Sequence, residues 1–356
     1  MKIINVVGAR PNFVKMAPII EALNQYPEKF KHKLVHTGQH YDESMSSVFF
    51  EELRMSKPDI HLHVGSGSHA EQTAQVMIAF EKACLEEKPD LVMVVGDVNS
   101  TLACAITAKK LQIKVAHVEA GLRSRDMSMP EEINRLCVDA ISDLLFTTDC
   151  GANENLIREG VCQNKIHFVG NVMIDSLMKH RDLASRLSLL ADWKLEKNQY
   201  AVVTLHRPSN VDNKETLSSI LDALNKVAAE VPVVFPVHPR TRQKIEKSGI
   251  STSRLKLAEP LGYLEMLHLI MNAQMVLTDS GGLQEETTVF GIPCLTLRDN
   301  TERPITCVHG TNQLVGTNSE RILAATQVIL CSKKLENRIP EKWDGCAANR
   351  IVEVLL

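Results

Sequence analysis

The sequence lacks a marked excess of charge of either sign. It has 40 lysines and arginines against 43 aspartates and glutamates, which gives a formal net charge of −3. This balance provides no electrostatic attraction to nucleic acid or to an anionic membrane surface. We therefore expect neither partner, and any phosphate that the protein binds must be held by local groups.

Paired cysteines and long apolar runs are missing as well. The nine cysteines are odd in number and form no C-x-x-C pair, which favours reduced thiols in a cytoplasmic protein. The apolar run at residues 3–7 is too short for a signal peptide or a membrane span, so it predicts a first strand. His61 and His63 alternate on a short strand without an evident third ligand, and we expect no metal.

Short apolar runs alternate with helical patterns along the chain. The run 91–95 is continuously apolar, as in a parallel strand buried on both faces. The alternation predicts an α/β fold with doubly wound parallel sheets. It weakens after residue 174 and then restarts, which predicts two Rossmann-like domains, 1–170 and 171–346. We expect the amphipathic helix 347–356 to pack back on the first domain, and ligand to bind in a cleft between the domains.

The segment Gly-Ala-Arg-Pro at 8–11 follows the first predicted strand and opens a helix. Gly8 permits a tight turn there, and Arg10 and Lys15 add positive charge near a helix N-terminus that attracts anions. An ordinary turn with two solvated cations explains this segment equally well. The G-x-G-x-x-G fingerprint is absent, so we expect no dinucleotide cofactor.

Three acidic residues are expected near one another at the ends of the first-half strands. Asp97 ends one buried strand, and Glu119 ends the next, on the same face as His117. Glu131 and its neighbour Glu132 lie in the first turn of a helix, where the helix dipole alone would explain them. Crowded carboxylates separate in pKa, which suits proton transfer.

The second half contains a Ser-Gly-Gly segment at 280–282 between a strand and a helix. Its glycines would let backbone N–H groups approach a pyrophosphate. Glu286 lies about one turn further on, where it would accept hydrogen bonds from a ribose diol, and Arg303 would pair with the diphosphate or support the site. His206 ends another strand, and a single histidine at such a position is more often structural.

Taken in order, the motifs at 8–11, 117–123, 130–135, 279–286 and 301–304 strongly resemble those of the non-hydrolysing UDP-N-acetylglucosamine 2-epimerases. The resemblance covers essentially the whole chain. It implies the GT-B architecture, in which two Rossmann-like domains face a central cleft, and a homodimer. It also implies a UDP-sugar substrate and a role in cell-surface polysaccharide biosynthesis.

The resemblance further implies a reaction without a cofactor. Such enzymes eliminate UDP across C1–C2, hold 2-acetamidoglucal and UDP, and add UDP back with the opposite configuration at C2. The positions matching the family's catalytic groups are Asp97, Glu119, Glu131 and His206. The positions matching its substrate-binding groups are Arg10, Lys15, Ser280, Gly281, Gly282, Glu286 and Arg303.

Two departures from the family pattern limit what the resemblance implies. Some bacterial members bind a second substrate molecule as an activator, and Gln39 and His40 of that region remain. Asp42 and Glu71 occupy the other two positions, so allosteric activation stays open. Met266 stands where the family often has a phenylalanine against uracil, although a thioether also packs on a base.

Other functions fit parts of the sequence. An epimerase of UDP-2,3-diacetamido-2,3-dideoxy-glucuronate would share nearly all the motifs. A GT-B glycosyltransferase or a non-catalytic nucleotide-binding module would not need the cluster of Asp97, Glu119 and Glu131. A hydrolysing epimerase is disfavoured by the lack of a fused kinase domain.

Overall fold

The structure is a computed structural model that describes residues 1–38, 55–331 and 338–356. The chain divides into two compact units. The first unit comprises residues 1–179 and 341–356, and the second unit comprises residues 180–340. Each unit is built on its own sheet.

Among the described residues, the first unit contains a sheet of seven parallel strands. They are β1 (Lys2–Val7), β2 (Lys31–His36), β3 (Ile60–His61), β4 (Leu91–Val95), β5 (Lys114–Ala120), β6 (Leu144–Thr147) and β7 (Ile166–Phe168). Their order in the sheet is β3-β2-β1-β4-β5-β6-β7, so the direction of winding reverses between β1 and β4. Every residue of β4 is buried, as the apolar run predicts.

The strands of the first unit alternate with helices. These are α1 (Arg10–Leu23), α2 (His69–Glu87), α3 (Asn99–Lys110), α4 (Pro130–Ile141), α5 (Cys150–Arg158) and α6 (Val172–Ser185), together with a short 3₁₀ turn at Gln163–Lys165. The chain passes from the first unit to the second within α6.

The C-terminal segment belongs to the first unit. Its helix α15 (Ala347–Leu355) packs against α1. The Asp175 carboxylate on α6 accepts the backbone N–H groups of Ala347 at 3.1 Å and Ala348 at 2.7 Å, which satisfies donors that a helix N-terminus leaves open. Trp343 is buried and donates its indole N–H to the Thr148 carbonyl at 3.0 Å.

The second unit contains, among the described residues, a sheet of six parallel strands in the order β10-β9-β8-β11-β12-β13. They are β8 (Ala201–Thr204), β9 (Val233–Pro236), β10 (Leu255–Ala258), β11 (Met275–Thr278), β12 (Cys294–Thr296) and β13 (Asn312–Leu314). The helices are α7 (Leu189–Asp192), α8 (Pro208–Val211), α9 (Lys214–Val227), α10 (Pro239–Ser248), α11 (Tyr263–Met271), α12 (Gly281–Phe290), α13 (Ile305–Val308) and α14 (Ser319–Cys331).

Helix α9 illustrates how sequence pattern builds this core. Asn213 caps its N-terminus by accepting the backbone N–H of Thr216 at 2.9 Å. Apolar side chains then recur at helical spacing and lie buried in the core of the second unit, namely Leu217, Ile220, Leu221, Leu224 and Val227. The polar residues between them face solvent.

The predicted fold class is confirmed, because each unit is a doubly wound parallel sheet with the same order of strands. None of the helices in the described ranges is long and apolar enough to cross a membrane.

Candidate active site

Each sheet has a switch point, where chain connections leave in opposite directions and a crevice opens beyond the carboxyl ends of the strands. In the first unit it lies between β1 and β4, which lead to Gly8 and to Asp97. In the second unit it lies between β8 and β11, which lead to His206 and to Asp279. Polar residues that the sequence singled out therefore follow the strands at both switch points.

Glu119 lies in β5 with a backbone φ of 73°, in the left-handed region that non-glycine residues rarely occupy. The pairing of β5 with β6 shifts register between Val118 and Ala120, so Glu119 is the extra residue of a bulge. Its carboxylate is buried and accepts a hydrogen bond from the ammonium group of Lys15, which is also buried. Strained backbone of this kind persists where the surroundings hold it, and it clusters at functional sites.

The turn after Glu119 depends on glycine. Gly121 has a φ of 81°, and a Cβ on it would lie 2.5 Å from the Ala152 carbonyl oxygen. Its N–H donates to Asp139 of α4 at 3.0 Å. Asp139 therefore holds the turn that follows the bulge.

His117 lies on the same strand, but both nitrogens of its ring are used. Nδ1 lies 2.6 Å from Asp139, Nε2 lies 2.9 Å from the Gly96 carbonyl oxygen, and the ring is fully buried. These contacts explain His117 as a structural residue of the first unit.

Asp97 is joined to α4 by an arginine. Arg135 donates from one terminal nitrogen to the Asp97 carboxylate, and its Nε donates to Glu132 at 2.9 Å. Asn134, also on α4, donates to the Asp97 carbonyl at 2.8 Å. The structure therefore brings Asp97 beside Asn134 and Arg135 of α4.

Glu132 is a first-turn acid of α4, as predicted, but the helix dipole is not its only interaction. Its side chain is buried, and besides Arg135 it accepts the backbone N–H groups of Ser124 at 3.0 Å and Arg125 at 2.7 Å. Burial tends to raise the pKa of Glu132, but the hydrogen bonds from Ser124 and Arg135 outweigh it and lower the pKa overall. Glu132 is an anchor for the loop before α4, and its i, i+3 spacing to Arg135 was the available sequence signal.

Glu131 differs from its neighbour. It is the second residue of α4, after Pro130, and its side chain is partly exposed. No hydrogen bond to its carboxylate is formed by the residues that the structure describes. A carboxylate in this position is accessible to a ligand.

In the second unit, Asp279 organises the end of β8. Its buried carboxylate accepts the backbone N–H groups of His206 at 3.1 Å and Arg207 at 2.9 Å. It also lies 2.7 Å from Nδ1 of His206, whose side chain is 59 % exposed. The sequence analysis included Asp279 in a motif but gave it no role, and the pairing of β8 with β11 brings it beside His206.

The first turn of α12 is approached closely by a guanidinium group. A Cβ on Gly281 would lie 2.5 Å from a terminal nitrogen of Arg303, so glycine lets that group approach the helix without a shift. Arg303 is buried and is paired with Glu302 at 2.7 Å and with Glu285 at 2.6 Å. The N-cap residue Ser280 makes no side-chain capping bond within the described part of the chain, so the first N–H groups of α12 remain uncapped by it.

Glu302 is a further residue that sequence reasoning passed over. Its buried carboxylate pairs with Arg207 at 3.3 Å, Arg298 at 2.8 Å and Arg303 at 2.7 Å. Burial tends to raise the pKa of Glu302, but the arginines, Arg303 foremost, hold it well below its usual range. The Glu302 carboxylate therefore holds the three arginines close together beside α12.

Glu286 is buried on α12, and burial, followed by the charge of Glu285, raises its pKa from 4.5 to about 8. Because its folded-state pKa exceeds the unfolded value, Glu286 contributes stability that is fully present below the unfolded pKa. That contribution is lost as pH rises through the folded pKa.

We expect the free energy of unfolding of the wild type, measured relative to Glu286→Gln, to fall between about pH 5 and about pH 8.5. The amide does not titrate, so the variant lacks this slope. Urea denaturation of both proteins across that range measures the difference. Parallel stability curves would show that Glu286 titrates at its ordinary value in the folded protein.

Comparisons with known proteins identify the family of this chain. A sequence profile described as UDP-N-acetylglucosamine 2-epimerase matches residues 21–356. The UDP-N-acetylglucosamine 2-epimerase of Methanocaldococcus jannaschii is 43 % identical over 365 residues, covering 100 % of this chain and 99 % of the relative. The chain belongs to the UDP-N-acetylglucosamine 2-epimerase family.

Structures and other relatives of the epimerase family extend the comparison. A crystal structure of the M. jannaschii epimerase in complex with UDP-GlcNAc and UDP matches with a TM-score of 0.92 and 42 % identity, covering 100 % of this chain and 99 % of that one. The UDP-2,3-diacetamido-2,3-dideoxy-D-glucuronate 2-epimerase of Pseudomonas aeruginosa is 42 % identical over 360 residues, covering 100 % and 99 %. The chain is thus an enzyme of the epimerase family with the GT-B class of fold.

Four residues that the sequence analysis named lie wholly or partly outside the described part of this epimerase. Gln39, His40 and Asp42 lie outside the described residues, as does the side chain of Arg10, whose backbone begins α1. Glu71 forms a capping box with Ser68 at the start of α2, which accounts for it structurally.

Met266 is partly buried against the apolar core of the second unit. Gly282 is the second residue of α12. Within the described ranges, no group of three histidine, cysteine or acidic side chains is arranged to hold a metal ion.

Proposed function

We propose that this enzyme catalyses the reversible conversion of UDP-N-acetylglucosamine to UDP-N-acetylmannosamine. The observation that carries the proposal is Glu119, a buried acid held in left-handed backbone and paired with Lys15 near the carboxyl end of β5. A core needs neither the strain nor the buried charges, whereas proton transfer needs a fixed acid or base. The homologous M. jannaschii structure, which contains UDP-GlcNAc and UDP, supports the choice of substrate.

The reaction that suits these groups is elimination followed by re-addition. A carboxylate takes the C2 proton while the C1–O bond breaks and its electron pair leaves with UDP, which gives 2-acetamidoglucal. UDP then adds back at C1, and a second group returns a proton to the opposite face of C2. The proposed acid and base groups are Asp97, Glu119 and Glu131. Asp97 follows β4 and Glu119 lies in the neighbouring β5. Glu131 lies in α4, whose Arg135 contacts Asp97.

The second unit provides the groups proposed to bind the nucleotide. The uncapped N–H groups at Ser280 and the following glycines suit a diphosphate, and Arg303 beside them adds positive charge. Glu286 lies one turn further along the same helix, where it would accept hydrogen bonds from the ribose diol. In the first unit, Lys15 and Arg10 are the proposed cationic contacts to the substrate.

The direct test is to incubate the protein with UDP-N-acetylglucosamine and resolve the products by proton NMR. We expect an equilibrium mixture of the two UDP-sugars. Free N-acetylmannosamine together with UDP would indicate a hydrolysing enzyme, and unchanged substrate would contradict the proposal.

A second candidate substrate is UDP-2,3-diacetamido-2,3-dideoxy-glucuronate. The P. aeruginosa epimerase of that sugar is 42 % identical, against 43 % for the M. jannaschii enzyme, so identity does not separate the two substrates. Measuring kcat/KM for both UDP-sugars decides between them. A larger value for the diacetamido sugar would replace the proposed substrate and leave the proposed chemistry in place.

We also propose that the enzyme works as a homodimer through the outer face of α2 and α4. Ile78 and Leu85 lie two turns apart on α2 and are 60 % and 58 % exposed, and Ile133 on α4 is 44 % exposed beside the exposed Cys137. Helix α3 packs against both helices, so these side chains belong to one helical layer. Large apolar side chains exposed at helical spacing suit burial against a second copy of the chain.

Replacing Ile78 and Leu85 together by lysine should convert the dimer to a monomer, because charges on this face oppose its burial. Light scattering measures the mass in solution. Val308→Lys is the matched control, since Val308 is 77 % exposed but lies on α13 of the second unit. A monomeric wild type, or equal masses for both variants, would contradict this interface.

A further inference from the structure

The described parts of the two units each contain an aspartate paired with a histidine, and the two pairs differ in one respect. In the first unit, the His117 ring is enclosed, with Nδ1 on Asp139 and Nε2 on the Gly96 carbonyl. In the second unit, His206 contacts Asp279 through Nδ1, but 59 % of its side chain is exposed. Within the described chain no hydrogen bond is made by Nε2 of His206. The first pair is closed, and the second presents one nitrogen outward.

The Asp279 carboxylate is fixed independently of the imidazole. It is fully buried and accepts the backbone N–H of Arg207 at 2.9 Å and the side-chain amide of Asn210 at 3.2 Å. Asn210 donates a second bond, to the Leu297 carbonyl at 3.0 Å. A carboxylate held by these donors has a defined orientation, and Nδ1 of His206 lies 2.7 Å from its Oδ1.

The contacts also define which ring nitrogen carries hydrogen. Burial tends to raise the pKa of Asp279, but the hydrogen bonds from His206 and Arg207 outweigh it and lower the pKa overall. An ionised carboxylate only accepts hydrogen bonds, so Nδ1 of His206 must be the donor. The nitrogen left to exchange a proton with a ligand is therefore Nε2.

We propose that Asp279 is the positioning residue of His206, which it holds with hydrogen on Nδ1 so that Nε2 faces the ligand at the end of β8. The inference rests on the proposed function for the identity of that ligand, the diphosphate of the UDP-sugar. Protonated Nε2 gives its proton to the leaving phosphate oxygen as the C1–O bond breaks and its electron pair stays on that oxygen. His206 takes the proton back when the bond re-forms, so the cycle is balanced.

The N-terminus of helix α12 lies next to Asp279 in the chain. Its N-cap residue, Ser280, follows Asp279 directly, so the N–H groups proposed to bind the diphosphate begin beside the pair. Asp279 thereby ties together the turn that carries His206 and the turn that opens α12.

The kinetic test compares Asp279→Asn, His206→Gln and the double variant. We expect Asp279→Asn to lower kcat by roughly 10²–10⁴-fold with little change in KM, because an amide can stabilise the wrong tautomer of the ring. In the His206→Gln background the same change should lower kcat by less than about threefold, since the residue it positions is gone. A full additional loss in that background would overturn the proposal and make Asp279 a structural residue only.

Nitrogen-15 NMR of histidine-labelled protein tests the pairing without any substrate. We expect His206 in its neutral form to carry hydrogen on Nδ1 in the wild type, and to lose that preference in Asp279→Asn. The signal of His117 should stay unchanged in this variant and serve as the internal control. Hydrogen on Nε2 of neutral wild-type His206 would overturn the proposal. Because this measurement needs no turnover, a failure of the proposed epimerisation does not affect it.

Discussion

The Glu131→Gln variant is expected to be nearly inactive, with kcat lowered by roughly 10²–10⁴-fold. Glu131 is partly exposed at the second position of α4, and no described residue forms a hydrogen bond with its carboxylate. If it transfers a proton at C2, the isosteric amide removes that capacity. UDP affinity should hardly change, because the diphosphate is proposed to bind in the second unit. Steady-state kinetics together with UDP titration separate the two quantities.

Glu215→Gln is the matched control for this variant. Glu215 is the second residue of α9, as Glu131 is of α4, and it is exposed. Both substitutions remove the same interaction with a helix dipole, worth about 0.3–1 kcal/mol of stability. Normal turnover in Glu131→Gln, with a loss of stability equal to that of the control, would make Glu131 a structural residue.

Glu132→Gln is expected to behave differently from both. Its carboxylate anchors Arg135 and the loop at Ser124, so its loss should lower the free energy of unfolding by about 1–3 kcal/mol. The two adjacent acids of α4 therefore differ in role. Glu131 is accessible to a ligand, whereas Glu132 holds the loop before α4.

Glu119→Gln is expected to lower kcat by a similar amount, roughly 10²–10⁴-fold. The substitution removes the proposed acid or base, and it also leaves the buried ammonium group of Lys15 with a neutral partner. We therefore expect a measurable loss of stability together with the loss of rate. Kinetics at a temperature where the variant is fully folded, as judged by thermal denaturation, measures the catalytic part alone.

Glu159→Gln is the control for breaking an ion pair in the same unit. Glu159 pairs with the buried Arg123 at 2.5 Å but is 34 % exposed and lies at the end of α5. Its loss should lower stability and leave kcat close to that of the wild type. If both variants retain normal kcat when folded, Glu119 has no part in the chemistry.

Local patterns in the sequence were enough to predict most strands. The apolar runs of β1 and β4 coincide with the predicted strands because burial on both faces demands continuous apolar residues. Strand β13 could not be predicted in this way, since Asn312–Leu314 is three residues long and has no apolar run. Among the described strands it pairs with β12, so its formation depends on a neighbouring strand.

The site was harder to predict from the sequence because its contacts join segments that are distant in the chain. Asp279 meets His206 only because β8 and β11 are adjacent in the sheet, an adjacency that no local pattern encodes. The contacts of Glu132 with Arg135 and with the loop at Ser124 were not predicted, because its place in a first turn already had a sufficient explanation. The left-handed backbone of Glu119 follows from the bulge against β6, and Gly121 alone indicated only a turn.

The central claim is that a protein group removes the C2 proton of the UDP-sugar. Turnover in deuterated water tests this claim most directly. The enzyme is incubated with UDP-N-acetylglucosamine, and both UDP-sugars are analysed by proton NMR and mass spectrometry. Elimination and re-addition predict that each product molecule carries one deuterium at C2, and that recovered substrate gains deuterium as the reaction approaches equilibrium. UDP-N-acetylmannosamine formed with its C2 hydrogen fully retained would contradict the account.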